Sequence, residues 1–135
     1  VLDWIRSAHE TSEYTTSVCT GTLLLAAAGL LDGKPATTHF LARDLLGELG
    51  AEPSSDRVVE QGKIITAAGV SSGIDMALRL VQLKYGDDVA KAVQLGIEYD
   101  PQPPLDAGSP EKAPKEIVDL VTQVFRAQDA EAAKA

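Results

Sequence analysis

The sequence predicts a layered α/β fold in which helices cover a mostly parallel β-sheet. Stretches with apolar residues at helical spacing alternate along the chain with short stretches rich in β-branched residues. The chain has 135 residues, of which 44% are hydrophobic and 24% charged. A chain of this size and composition buries a core without help from disulfides or metals. We expect a single domain without internal repeats.

The first half of the chain contains three predicted helices and two predicted strands. Helical spacing predicts helices over residues 1–9, 22–31 and 40–49, and β-branched composition predicts strands over residues 14–18 and 34–38. Gly33 is the expected residue after the second helix, and Gly50 with Pro53 is expected to stop the third. Cys19 is therefore placed where a strand becomes a helix.

The second half begins with a predicted hairpin and continues as helices. Residues 57–60 and 63–67 have strand composition, and Gly62 between them supplies the positive φ of a tight turn. Helices are predicted over residues 74–85, 88–97 and 114–128, the first of them with Ser72 as N-cap. The proline-rich residues 99–110 predict an irregular loop. We expect Asp100, Asp106 and Ser109 to pin this loop across the surface or across a dimer interface.

The predicted sheet has fewer strands than a buried parallel sheet needs. Only residues 14–18 and 64–67 suit such a sheet well, with 36–38 as a weaker third strand. The chain also opens in an amphipathic stretch at Val1 without an initiator Met. We therefore expect a fragment or a processed chain, with strands of the same domain preceding Val1.

Charge and hydropathy exclude two classes of partner. The formal net charge is −8, and the 12 Lys and Arg residues form no basic run, which argues against nucleic-acid binding. The longest apolar stretch, residues 23–31, is far shorter than the roughly 20 residues needed to cross a bilayer. We expect neither a nucleic-acid partner nor a membrane span.

Cys19 is the only cysteine in the chain. A lone thiol forms no internal disulfide and fits a reducing compartment such as the cytoplasm. Its predicted position between strand and helix is that of a nucleophile elbow, where the unpaired amides of the following turn favour the thiolate. Thr20 is expected to cap the helix or to present its amide and hydroxyl to a bound group, and Gly21 allows close approach. A small buried hydrophobic residue under a helix is the alternative for Cys19.

Three blocks of sequence resemble the DJ-1/PfpI superfamily. Residues 17–21 (SVCTG), followed by 26–33 (AAAGLLDG) and 36–39 (ATTH), look like its nucleophile region. Residues 68–75 (AGVSSGID) resemble the loop and helix that face the cysteine, and residues 98–110 resemble the tail loop of isocyanide hydratases. The blocks span most of the chain in the expected order.

The resemblance implies a flavodoxin-like three-layer sandwich, usually a homodimer, with a reactive cysteine tuned by an acidic residue near the N-terminus of the full protein. It implies a hydro-lyase in which Cys19 attacks an isocyanide and water releases an N-substituted formamide, with no metal or organic cofactor. Ser17 and the lack of a distal His-x-Glu pair depart from the glutamine amidotransferases. Val70 and Ile74 are expected to line an apolar pocket for the substrate.

Other polar and aromatic residues have competing interpretations. His39 is a candidate acid or base beside the thiol, or a structural histidine that binds backbone. His9 is expected to be solvated, and Asp75 is more typical of a helix N-terminus than of a buried active-site acid. Trp4 is expected in the core. No spacing of His, Cys and acidic residues predicts a metal site.

The sequence is also compatible with two further functions. A redox-responsive DJ-1-like protein would use the same thiolate to accumulate sulfinic acid. A ligand-sensing domain related to AraC-type regulators would bind without turnover.

Overall fold

The computed structural model describes residues 1–134 and divides into two compact units, Val1–Tyr99 and the part from Asp100 onward. In chain order, the elements of the first unit are α1 (Leu2–Thr11), β1 (Thr15–Val18), α2 (Thr22–Ala27), β2 (Pro35–Ala36), α3 (Arg43–Glu48), β3 (Glu52–Pro53), β4 (Val58–Gln61), β5 (Ile64–Ala67), α4 (Ser72–Tyr85) and α5 (Asp87–Gly96). The second unit contains α6 (Lys115–Ala132). Short 3₁₀ turns, Cys19–Gly21 and Phe40–Ala42, precede α2 and α3.

The main sheet has the strand order β1-β5-β4. β1 and β5 are parallel, with Thr15 opposite Ile64 and Val18 opposite Ala67. β4 and β5 form the predicted antiparallel hairpin, and Gly62 in its turn has φ +61°, a conformation that glycine adopts without strain. The parallel pairing aligns the carboxyl ends of β1 and β5, which places Cys19 and Ala68 at the same edge of the sheet.

Helices cover both faces of this sheet, so the first unit has three layers. Side chains of a strand alternate between faces, and β5 shows this clearly. Ile64 packs with α2 and α3 residues such as Leu25 and Leu46, whereas Ile65 and Ala67 pack with Met76 of α4. The predicted α/β fold is confirmed.

Several predicted element boundaries are wrong for local reasons. α2 ends at Ala27 rather than at residue 31, because Gly29 takes φ +82° and closes a Schellman motif in which Gly29 N–H binds the carbonyl of Ala26 and Leu30 N–H that of Leu25. α1 continues through Glu10 and Thr11, two residues beyond its predicted end at residue 9.

Differences also occur in later elements. The strand predicted over 34–38 is reduced to β2, which pairs in parallel with the unpredicted strand β3. Ser72 is the first residue of α4 rather than its N-cap, and Ser71 at the cap position makes no side-chain capping bond. The last helix extends four residues beyond the predicted end at 128, to Ala132.

The outer edge of β1 borders an apolar trough of about 440 Å³ between α1 and α2. Trp4, Ile5 and Leu24 line its apolar wall, and Ser17 and Gly21 bring it up to the cysteine turn. Trp4 is 73% exposed, so its predicted place in the core is wrong. α1 instead packs onto the core through Ile5.

The second unit begins with the irregular proline-rich segment that the sequence predicts. Asp106 pairs with Lys112 over 3.0 Å, and the carbonyl of Ser109 accepts a hydrogen bond from Ala113 N–H. These contacts lie within the second unit. Over residues 1–134, none of the helices combines the length and the apolar character that a bilayer crossing needs.

Candidate functional site

The cysteine turn lies at the carboxyl end of β1. Cys19 follows Val18 directly and opens the 3₁₀ turn that leads into α2. Its φ is +60°, and among the described non-glycine residues only Cys19 and Glu98 have positive φ. A residue with a Cβ in this region costs about 1–3 kcal/mol and persists only where its surroundings fix it. Contacts with neighbouring residues must therefore stabilise this conformation of Cys19.

Both peptide groups that flank Cys19 are tied to neighbouring segments. Its N–H donates to the carbonyl of Ala68, just after β5, over 2.9 Å. Its carbonyl accepts from the Thr38 hydroxyl over 2.8 Å and from the N–H of Thr22. The turn is thus held from the adjacent strand on one side and from residues 37–39 on the other.

A buried hydroxyl pair braces the turn from below. Ser17 Oγ and Thr22 Oγ1 lie 2.7 Å apart, and both residues are buried. Ser17 precedes the turn and Thr22 begins α2, so this hydrogen bond spans Cys19.

His39 lies beside the loop that follows β5. A Cβ placed on Gly69 would be 2.9 Å from His39 Cδ2, so the imidazole and this loop are in direct contact. His39 Nδ1 accepts the N–H of Leu41 over 3.3 Å, an assignment that puts the proton of the neutral ring on Nε2. Burial lowers the pKa of His39 below 6.5, and the charge of Arg43 lowers it further.

The predicted substrate-binding residues differ in exposure. Thr20 is exposed and Gly21 is half-buried in the turn itself, as is Cys19. Val70 lies in the loop tied to Cys19 through Ala68 and is 79% exposed, whereas Ile74 lies in the first turn of α4 and is 41% exposed. Gly73 packs against Val18, since a Cβ there would be 3.2 Å from both Val18 methyl groups. Cys19, Thr20 and Gly21 are thus consecutive in the turn, and His39 follows Thr38, whose hydroxyl binds the Cys19 carbonyl. Val70 and Ile74 lie on the loop and helix that follow β5.

Asp75 belongs to an ion-pair cluster. It pairs with Arg57, and it accepts a hydrogen bond from the Tyr99 hydroxyl over 2.6 Å. The hydrogen bond to Asp75 is the main cause that raises the pKa of Arg57 and likewise that of Tyr99. Arg57 also donates to Ser71 Oγ over 3.2 Å, which ties the cluster to the loop facing the cysteine.

His9 has partners that the sequence did not suggest, so its predicted solvation is wrong. His9 Nδ1 lies 2.7 Å from Thr15 Oγ1, and Lys63 binds the His9 carbonyl and caps the end of α1. Partial burial lowers the pKa of His9, the charges of Lys63 and Lys34 lower it further, and Glu10 opposes them.

Sequence reasoning missed the residues that tie the turn down. Thr38, Ser17 and Thr22 are buried hydroxyl residues around Cys19. The signal available in the sequence was the pair of threonines at 37 and 38 directly before His39. Over residues 1–134, no three His, Cys, Asp or Glu side chains cluster in a way that would hold a metal ion.

A sheet between helical layers, with a cysteine in strained conformation at the carboxyl end of a parallel strand, defines the class as flavodoxin-like α/β proteins with a strand-to-helix cysteine turn. Residues 1–83 match the model of the DJ-1/PfpI family. The chain belongs to this family.

Three similar proteins refine the comparison. An isonitrile hydratase of Pseudomonas putida is 55% identical over 118 residues, which cover 87% of this chain and 52% of that protein. The crystal structure of a ThiJ/PfpI family protein from Pseudomonas syringae matches with a TM-score of 0.88 at 40% identity, over 93% of this chain and 52% of that one.

The third is an HTH-type transcriptional regulator of Pseudomonas aeruginosa. It is 33% identical over 95 residues, which cover 69% of this chain and 28% of the regulator. The chain spans about half the length of the hydratase and of the solved structure.

Proposed function

We propose that this chain carries the cysteine site of an isonitrile (isocyanide) hydratase, a hydro-lyase that converts isocyanides to N-substituted formamides. The observation that carries the proposal is Cys19 held at φ +60° where β1 meets the helical turn, the arrangement of a nucleophile elbow. The 55% identity to a protein named isonitrile hydratase supports this substrate class.

In the proposed reaction, the Cys19 thiolate adds to the terminal carbon of R–N≡C and forms a C–S bond. A general acid supplies the proton that completes the thioimidate R–N=CH–S–Cys. Water then adds to the same carbon, one of its protons goes to the nitrogen, and the other returns to the general acid. The C–S bond breaks, and R–NH–CHO leaves as the thiolate is restored. The sum is R–N≡C plus water giving R–NH–CHO.

The neighbouring residues take roles that fit their positions. The first amides of a helical turn lack partners within the turn, and the Cys19 N–H already binds Ala68, so the N–H of Thr20 is the proposed donor toward the thiolate and the bound substrate. Gly21 is proposed to let the substrate approach the backbone closely. Val70 and Ile74 are exposed apolar side chains on the facing loop and helix, suited to the R group. The hydratase of this proposal works as a cytoplasmic homodimer on a small molecule.

His39 is proposed to act as a hydrogen-bond donor to the reacting groups. Its lowered pKa favours the neutral imidazole near pH 7, and because Nδ1 accepts the N–H of Leu41, its Nε2–H is the group that donates. The Nδ1 bond to Leu41 is a structural role that accompanies this one. The carboxylate that the family resemblance implies near the N-terminus of the full protein is the proposed general acid.

Ligand sensing without turnover is the second candidate, because the chain is 33% identical to a transcriptional regulator over 95 residues. A sensor would bind an isocyanide or a similar small electrophile and release it unchanged.

The deciding experiment follows formamide formation from an aliphatic isocyanide by NMR. The full chain and its Cys19→Ser variant are compared, since serine preserves the size of the side chain and removes the sulfur. We expect formamide from the wild type and none from the variant. No formamide from the wild type would contradict the hydratase proposal, and saturable binding without product would favour the sensor.

A further inference from the structure

The Thr38 hydroxyl is the side-chain group that holds the carbonyl of Cys19. The Oγ1–H donates to this carbonyl over 2.8 Å, and Thr38 is fully buried. The carbonyl of Cys19 and the N–H of Thr20 belong to the same planar peptide unit and point in opposite directions. Whatever fixes the carbonyl therefore also fixes the direction of the Thr20 N–H.

Thr38 is itself held firmly. The N–H of Thr37 donates to Thr66 Oγ1 over 3.0 Å, and Thr66 lies opposite Ser17 in the pairing of β5 with β1. The segment that carries Thr38 is thus anchored to β5, the strand that pairs with β1. A rigid anchor is what a hydroxyl needs if it is to set the orientation of another group.

We propose that Thr38 is a positioning residue of the cysteine site, which orients the Cys19–Thr20 peptide so that the Thr20 N–H faces the thiolate and the substrate. The role of Thr38 in turnover rests on the proposed hydratase function, while its effect on the thiolate does not. Thr38 acts through the peptide and touches no reacting atom.

Thr37 provides a matched control. It is as fully buried as Thr38 and adjacent in sequence, but its own hydroxyl has no hydrogen-bond partner among residues 1–134. Thr37→Val and Thr38→Val therefore make the same isosteric change at neighbouring buried sites, and only the second removes a hydrogen bond to Cys19. Thr38→Ser keeps the hydroxyl and serves as the conservative rescue.

The test measures the rate constant for alkylation of Cys19 by iodoacetamide in the folded full chain, together with kcat and KM for formamide production. We expect Thr38→Val to lower the alkylation rate constant by about tenfold, the factor that corresponds to one hydrogen bond. We also expect the decrease in kcat to be larger than any change in KM. The alkylation rate constants of Thr37→Val and Thr38→Ser are expected to stay within about twofold of the wild-type value, a smaller change than the loss of one hydrogen bond causes. Should Thr38→Val fail to fold, Thr38→Ala replaces it with the same expected loss.

An alkylation rate in the folded Thr38 variant that equals or exceeds that of the wild type overturns the inference, as does an equal loss in Thr37→Val. Lower thermal stability with unchanged alkylation would assign Thr38 a purely structural role and also overturns it. Because alkylation needs no isocyanide, an absence of formamide from the wild type would reject the hydratase proposal and leave this test intact.

Discussion

Gly69 and His39 are in van der Waals contact, so close that a methyl group on Gly69 would lie 2.9 Å from His39 Cδ2. Real Cβ atoms do not tolerate such a distance, and the imidazole or the loop would have to move. The contact therefore links the position of His39 to the loop that binds the N–H of Cys19 through Ala68.

The first prediction concerns this contact. Gly69→Ala is expected to displace the imidazole and to lower the free energy of unfolding by about 1–3 kcal/mol, as overpacking does. Urea unfolding and the NMR resonances of His39 measure the two effects. Gly96→Ala is the control, because Gly96 ends α5 and, within the described part of the chain, an added Cβ there has no atom within 4 Å. A Gly69→Ala variant with wild-type stability and unchanged His39 resonances would contradict the prediction.

The second prediction concerns pH. The pKa of His39 in the folded chain lies below 6.5 because of burial and Arg43, so the unfolded chain binds a proton first as the pH falls. The contribution of His39 to stability is therefore present above pH 6.5 and is lost as the pH falls toward the lowered value.

His39→Asn tests this pH dependence, since asparagine retains an oxygen that can accept the N–H of Leu41 while it removes the titrating group. Urea unfolding at several pH values below 7 is expected to show a smaller loss of stability in the variant than in the wild type. Parallel profiles for the two proteins would show that His39 does not contribute.

The third prediction concerns the buried hydroxyl pair under the turn. Thr22→Val leaves the Ser17 hydroxyl buried without its partner at 2.7 Å, which costs about 1–3 kcal/mol. The double variant Ser17→Ala with Thr22→Val removes both hydroxyl groups and is expected to recover most of that loss. A double-mutant cycle in urea measures the coupling. Simple additivity of the two single changes would show that the pair is not coupled.

The position of Cys19 could be predicted because the signals that define it are local. The β-branched run before it and the Leu- and Ala-rich run after it specify a strand and a helix, and Gly62 specifies the hairpin that supplies β5. These patterns involve residues only a few positions apart, and such local patterns indicate whether a segment forms a strand or a helix.

The contacts that hold the cysteine were not predictable, because they join residues far apart in sequence. Thr38 binds a carbonyl 19 positions earlier, and His39 contacts the loop at Gly69. The short strand β3 was missed for the same reason, since the sequence 51–54 has no strand composition and forms a ladder only because β2 lies beside it.

Trp4 shows a different limit. Residue type and helical spacing place it on the apolar face of α1, yet the core accepts Ile5 and leaves Trp4 73% exposed on the trough beside β1. Periodicity identifies an apolar face but does not say which of its residues meet a partner surface.

The fourth prediction concerns Tyr99, whose hydroxyl donates to Asp75 over 2.6 Å. This hydrogen bond is the main cause that raises the pKa of Tyr99 above 10.0. A raised pKa means that the contribution to stability is fully present below pH 10 and is lost as the pH rises through the raised value. We expect Tyr99→Phe to lower the free energy of unfolding by about 1 kcal/mol at neutral pH and to lose less stability than the wild type above pH 10.

Tyr85→Phe is the matched control for Tyr99→Phe, because Tyr85 is 63% exposed at the end of α4. Removal of the Tyr85 hydroxyl is expected to leave the free energy of unfolding unchanged at neutral pH. Cys19 alkylation in Tyr99→Phe adds a second reading, since Asp75 also binds Arg57, and Arg57 binds Ser71 in the loop facing the cysteine. Loss of the Tyr99 bond is expected to leave that loop held by Arg57, so the alkylation rate stays at the wild-type value. A large change in rate would show that Tyr99 supports the site as well as the fold.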